Sequence, residues 1–134
     1  MKKITGSIVA LVTPFNADGS VDHGRLREIV EWHVQNKTDA ILALGTTGET
    51  ASTTLEEDIR TFETVVDQVA GRIPVIAGSG SNSSEMQKHK SEIYTKMGAA
   101  ALLCISPYYV KTNEEGMYRQ IGRASCRERV SPRV

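Results

Sequence analysis

The chain has 134 residues, 40% of them hydrophobic, with sixteen basic and sixteen acidic side chains, enough for one compact domain. Arg123, Arg127, Arg129 and Arg133 stand after Gln120 against Glu128 alone, which leaves the first 120 residues about three charges acidic; no basic stripe interleaved with aromatics marks a nucleic-acid surface. Cys104 in an apolar run and Cys126 in the polar tail give neither a disulfide framework nor a CxxC pair, and no stretch approaches the roughly 20 apolar residues of a membrane span, so a soluble chain in a reducing, cytoplasmic setting is expected.

The start, Met1-Lys2-Lys3, followed by apolar Ile8 to Val12, faintly mimics a signal peptide, but Gly6 and Ser7 interrupt it. Ser7 to Val12 is better used as a first strand, buried on both faces and stopped by Thr13-Pro14. Asp22 is placed to cap a helix whose Leu26, Ile29, Val30 and Val34 form an apolar stripe, with Arg25, Glu28, Glu31 and Gln35 left for water. Ala40 to Leu44 is the second strand. After the loop Gly45-Thr46-Thr47-Gly48-Glu49, Thr54 and Glu57 form a capping-box pattern; Ile59, Phe62, Val65, Val66 and Val69 continue the helix, and Gly71 ends it.

The third strand is Ile73 to Ala77, with Pro74 tolerable at its first positions. A more polar helix follows from about Ser84 to Met97, its apolar positions being Met86, Ile93 and Met97 and its end Gly98. Ala99 to Ile105 is the fourth strand, and Asn113 is placed to cap a last helix that runs out near Gln120. Strands recurring every roughly 25 to 35 residues, each followed by a helix, indicate right-handed βαβ units in a parallel sheet. Periodicity leaves open whether that sheet closes, and at this length an open doubly wound domain is the expectation from spacing alone.

In either arrangement the loops after the strands collect at one end, and they bring Thr13, Thr46, Thr47, Ser79, Ser81, Asn82, Ser106, Tyr108 and Tyr109 together with several glycines. Hydroxyls and bared amides of this kind suit a small carboxylate, and a tyrosine in contact with a threonine is able to pass a proton. Ordinary hydroxyl-rich turns are the alternative. Gly78-Ser79-Gly80-Ser81 is neither GxGxxG nor a Walker sequence. His23, His33 and His89, on separate predicted helices, lack ligand spacing, so no metal is expected. Lys88, Lys90 and Lys111 read as solvated, and no lysine falls in a predicted strand.

Four segments taken together, Gly6 to Phe15, Gly45-Thr46-Thr47-Gly48-Glu49, Arg72 to Asn82 and Pro107-Tyr108-Tyr109, resemble in order and spacing the dihydrodipicolinate synthase (4-hydroxy-tetrahydrodipicolinate synthase) family. The likeness runs from about Ile4 to Gln120. It implies the first half of a (β/α)8 TIM barrel, with residues 1–120 in the half-barrel and 121–134 a disordered tail outside the family pattern. It replaces the open sheet that spacing favours.

The family condenses pyruvate with L-aspartate 4-semialdehyde, on the route to lysine and diaminopimelate, through a Schiff base on a barrel lysine and without a cofactor. The resemblance implies that Thr46 belongs to a threonine-tyrosine proton relay and that Thr47 holds the pyruvate carboxylate. Tyr109 matches the relay tyrosine that one subunit lends to a neighbour, the whole enzyme being a homotetramer. Ala51, Asn82 and Tyr108 match positions that hold the inhibitor lysine in sensitive members, while Leu55 and Asp58 stand where some of those members carry histidine, so inhibition by lysine is not expected. Sialic-acid lyases of the same superfamily usually carry serine-threonine in the first loop and phenylalanine-tyrosine after the fourth proline, so Thr46-Thr47 and Tyr108-Tyr109 favour the synthase.

No Schiff-base lysine, second relay tyrosine or substrate-binding arginine is assignable, and the chain itself is expected to be inactive. Ile121 to Val130 lacks apolar periodicity and resembles the translation of a short-read sequencing adapter, so the expectation is a reading frame cut short by an artefact. Alternatives are another pyruvate-dependent lyase of the superfamily and a non-catalytic, carboxylate-binding half-barrel.

Overall fold

The computed structural model describes residues 4–124. Four strands, β1 (Ile8–Ala10), β2 (Ala40–Ala43), β3 (Val75–Gly78) and β4 (Ala101–Leu103), form one parallel sheet in the order β1-β2-β3-β4. The helices α1 (His23–Gln35), α2 (Leu55–Val69), α3 (Ser84–Lys96) and α4 (Glu114–Ala124) follow them in turn. Sequential strands pair without a reversal of order, which is the winding of a barrel segment rather than of a doubly wound sheet.

Local chemistry explains the helix ends. The Asp22 side chain accepts from the Arg25 N–H at the start of α1, and Ser83 accepts from Met86 at the start of α3. At α2 both halves of the expected capping box form: the Glu57 N–H donates to Thr54 Oγ1, and the Thr54 N–H donates to the Glu57 carboxylate at 2.8 Å. The stop of α2 comes one residue before the expected glycine, since Ala70 already takes a left-handed φ of 49° before Gly71 continues at 72°. Beyond Gln120, α4 continues to Ala124; the remainder of the expected tail, 125–134 with Cys126, lies outside the described residues.

Register places the side chains. Val9 pairs with Ile41 and Ile41 with Val75, while Ala43 pairs with Ala77 and Ala77 with Leu102; these six line the face that the helices cover. Leu26 and Val30 of α1, Phe62, Val65 and Val69 of α2 and Tyr94 of α3 close over that face, with Phe62 against Tyr94 at a ring-centroid distance of 5.1 Å. The opposite row, Ala10, Leu42, Ile76 and Ala101, meets no helix, and Ile8 and Leu103 beside it are 46% and 43% exposed. The first strand is therefore not buried on both faces as its composition suggests. It is an edge strand, and one side of the sheet is uncovered among the described residues.

Several surface expectations also change. The inward face of α3 is polar, made of Gln87, Ser91 and Tyr94, while Met86 is exposed and Ile93 and Met97 pack only partly on the core. Lys90 is not solvated: its ammonium lies 2.9 Å from the Asp58 carboxylate on α2, and Asp58 is almost wholly buried. Glu31 is not left to water either. The Arg72 guanidinium grips it through two hydrogen bonds of 2.9 and 2.6 Å, and with Gln68 and Gln35 holds its carboxyl down at about 2. His23 and His33 both fall on α1 rather than on separate helices, where each lies beside a threonine hydroxyl, Thr64 and Thr38 respectively.

Candidate functional site

Because all four strands run in parallel, the loops at their carboxyl ends gather on one rim. The most constrained of them follows β2. Leu44 leaves the strand in the left-handed region at φ 60°, Gly45 is extended, Thr46–Gly48 make one 3-10 turn, and Glu49 closes it in the left-handed region again at φ 59°. The Gly48 N–H donates to the Gly45 carbonyl at 2.9 Å and the Glu49 N–H to the Thr46 carbonyl at 3.0 Å. Two non-glycine left-handed residues within six positions are costly, and such conformations persist only where the surroundings hold them.

Those surroundings come from both neighbouring strands. On one side β3 brings Gly78 so close that a side chain there would collide with the Leu44 carbonyl oxygen, so the glycine is what admits the bend. On the other side Thr13, buried just past β1, donates its hydroxyl to the Gly48 carbonyl at 2.8 Å. A Cβ on Gly48 would in turn lie 3.2 Å from Thr13 Oγ1 and 3.3 Å from the Leu11 carbonyl. Gly45 and Gly48 are buried, whereas Thr46 and Thr47 between them are exposed on the rim. No side-chain hydrogen bond engages either threonine hydroxyl among the described residues, so both are available to an incoming acceptor or donor.

The other predicted rim residues divide. Ser79 is fully buried, with its hydroxyl accepting from Ser91 Oγ at 3.0 Å and lying 3.5 Å from Cys104 Sγ. Ser81 is buried too, and its hydroxyl accepts from the Ser83 N–H. These two serve the joint between β3 and α3 rather than the rim. Ala51, Asn82, Ser106, Tyr108 and Tyr109 are exposed, on the loops after β2, β3 and β4. Tyr108 and Tyr109 meet edge to face at a centroid distance of 6.3 Å, Tyr109 being fully exposed and in the left-handed region at φ 61°. Among the described residues no hydrogen bond joins Tyr109 to Thr46 or Thr47, and Tyr109 projects from its loop into solvent.

Sequence reasoning missed the supports behind the rim. Gln120 of α4 donates from Nε2 to the Ser81 carbonyl at 2.7 Å and to Gln87 Oε1 at 2.9 Å, and Ser91 donates to the Gln87 carbonyl as well. Asp58, at a position discussed above only as a replacement for histidine, accepts from Thr53 Oγ1 at 2.6 Å and from Lys90. The buried Tyr94 hydroxyl has no partner, and burial together with the negative charge of Asp58 raises its ionisation well above the usual tyrosine range. The spacing of Gln87 and Ser91 on one helix face was the available signal; their lack of apolar character hid it.

Comparison with known proteins gives this rim its context. The model of the dihydrodipicolinate synthetase family matches residues 3–123. Over 116 residues, 87% of this chain, the sequence is 47% identical to a 4-hydroxy-tetrahydrodipicolinate synthase of Neisseria meningitidis serogroup C and 51% identical to one of Pseudomonas aeruginosa. The chain spans 40% of the length of each of those curated relatives. Among solved structures it is similar to the chloride-inhibited dihydrodipicolinate synthase of Acinetobacter baumannii, complexed with pyruvate. That match has 38% identity and a TM-score of 0.91, and covers 95% of this chain and 44% of that one.

Proposed function

This chain belongs to the dihydrodipicolinate synthetase family, whose members are lyases, and on that premise we propose that it supplies the first half of a pyruvate-condensing barrel. The whole enzyme would join pyruvate to L-aspartate 4-semialdehyde in the cytoplasm, as a homotetramer, on the route to lysine and diaminopimelate. The single observation that carries this reading is the Gly45–Glu49 turn, which presents two unengaged threonine hydroxyls at the carboxyl rim of a parallel sheet.

In this reading Thr47 holds the pyruvate carboxylate, because hydroxyls satisfy an anion without demanding a compensating cation. Thr46 passes a proton in relay with Tyr109. Tyr109, fully exposed and without a hydrogen bond to Thr46 or Thr47 among the described residues, serves the site of an adjoining subunit. Ala51, Asn82 and Tyr108 match the effector position of lysine-sensitive members, but Leu55 and Asp58 bring no imidazole to it and Asp58 is tied to Lys90, so inhibition by lysine is not expected. The family match ends within α4 at residue 123, and 124–134 lie beyond it; resequencing the coding region through codon 134 checks that boundary.

The chemistry also needs an amine. A lysine that condenses with the pyruvate ketone becomes a protonated imine, and this nitrogen takes up the electron pair released when the adjacent methyl loses a proton. None of the four strands carries a lysine, so the chain would hold the carboxylate without forming the imine. Borohydride reduction in the presence of pyruvate, followed by mass spectrometry, should leave the 134-residue chain unlabelled, and assays with both substrates should show no condensation. A lysine carrying the reduced pyruvate adduct would overturn this. Shifts of the Thr46 and Thr47 methyl resonances on titration with pyruvate test the carboxylate grip separately, and binding without labelling is the behaviour of a carboxylate-binding half-barrel.

A further inference from the structure

We propose that Thr13 is a positioning residue for the Thr46–Thr47 turn, an inference that rests on the carboxylate reading just given. Its hydroxyl reaches across 35 residues of sequence to the Gly48 carbonyl, and no other side-chain hydrogen bond among the described residues reaches Thr46, Thr47 or Gly48. Gly78 fixes where the turn begins, by admitting the Leu44 carbonyl; the carbonyl of Glu49, which accepts from the Ser52 N–H at 2.9 Å and the Ser52 hydroxyl at 2.8 Å, fixes where it ends. Between those two left-handed residues the Gly48–Glu49 peptide is held at both ends: its N–H donates to the Thr46 carbonyl at 3.0 Å, and its carbonyl takes the Thr13 hydroxyl, the one side-chain hydrogen bond to this stretch among the described residues. Because that same peptide closes the turn on the Thr46 carbonyl, the Thr13 bond steadies the backbone from which both threonine hydroxyls leave the rim.

Thr13 is suited to this. It lies two residues after Leu11, whose N–H continues the β1-β2 ladder to the Leu42 carbonyl at 2.9 Å, and it precedes Pro14, which restricts its backbone to extended conformations. Its donor is thus carried on a braced segment and buried away from competing water.

Thr13→Val keeps the shape and removes the donor, while Thr13→Ser keeps the donor and removes the methyl. In the full 134-residue chain, amide exchange at Gly48 and Glu49 should be about three- to tenfold faster in Thr13→Val, with pyruvate binding weakened by a similar factor and exchange at Ile41 and Ala43 unchanged. Thr13→Ser should retain the exchange rates and the pyruvate affinity of the unaltered chain. Unchanged turn exchange in Thr13→Val would overturn the proposal. So would faster turn exchange in Thr13→Ser, which would assign the work to the methyl and which remains readable if the valine variant does not fold. If the unaltered chain shows no pyruvate shift while Thr13→Val loosens the turn, the positioning role stands and the carboxylate reading falls.

Discussion

The two faces of the sheet are built from the same kinds of residue and live in different surroundings. Val9, Ile41, Ala43, Val75, Ala77 and Leu102 lie under α1, α2 and α3 and belong to one core cluster. Ile8, Ala10, Leu42, Ile76, Ala101 and Leu103, one position along in each strand, lie outside that cluster and face no helix among the described residues. The difference teaches that an apolar run specifies the capacity to be buried on both sides, and that the burial itself depends on what the rest of the fold supplies. Among the described residues the helix-covered face carries the packed core. The other face is the one a closed barrel would turn inward, and β1 and β4 are the open edges at which further strands would continue it.

The sharpest break of this comparison is Phe62→Ala. Phe62 is fully enclosed against Tyr94, so its loss should cost about 3–5 kcal/mol in urea unfolding. Leu103→Ser on the uncovered face should cost less than about 1 kcal/mol, and equal costs would dissolve the distinction between the faces. Lys90→Met strands the buried Asp58 carboxylate on the covered side and should cost about 3 kcal/mol, with Asp58→Asn in the same chain restoring much of it.

The uncovered face makes its own prediction. The chain should self-associate and bind a hydrophobic dye, and Ile8→Lys with Leu103→Lys should shift sedimentation toward the monomer and reduce dye fluorescence severalfold. A monomer without dye binding in the unaltered chain would count against it. Tyr94→Phe removes a buried hydroxyl that has no partner and should gain about 1 kcal/mol at neutral pH. Because Tyr94 is harder to ionise in the folded chain, its contribution is complete below pH 10 and is lost as pH rises further; the phenylalanine variant should lack that alkaline decline. The smallest effect is Glu31→Gln. Glu31 titrates at about 2 instead of 4.5, so its contribution is present above pH 4.5 and fades as pH falls toward 2, and the glutamine variant should flatten acid unfolding across that window.

Much of the fold was legible because its signals are local. The Asp22 cap, the Thr54–Glu57 capping box and the apolar stripe of α2 each follow from residues within a turn or two of one another. The site was legible in part, for the same reason: Gly45-Thr46-Thr47-Gly48-Glu49 is contiguous and forms one turn. Ser79 and Ser81 look like rim hydroxyls in the sequence, yet Ser79 is spent on Ser91 of α3, a partner that only the packing of α3 on β3 brings near, and Ser81 on the Ser83 N–H just before α3.

Sequence by itself determined the order of strands and helices, their caps, the motif that links the chain to its family and the absence of a lysine from the strands. The tertiary structure decided which apolar residues are buried, that Leu44 bends left-handed over Gly78, that Thr13 reaches Gly48, and that Asp58 meets Lys90. Hydrogen-bond pattern and side-chain period are properties of neighbouring residues, whereas packing against a second layer and the sharing of a buried donor require segments that only the folded sheet brings side by side.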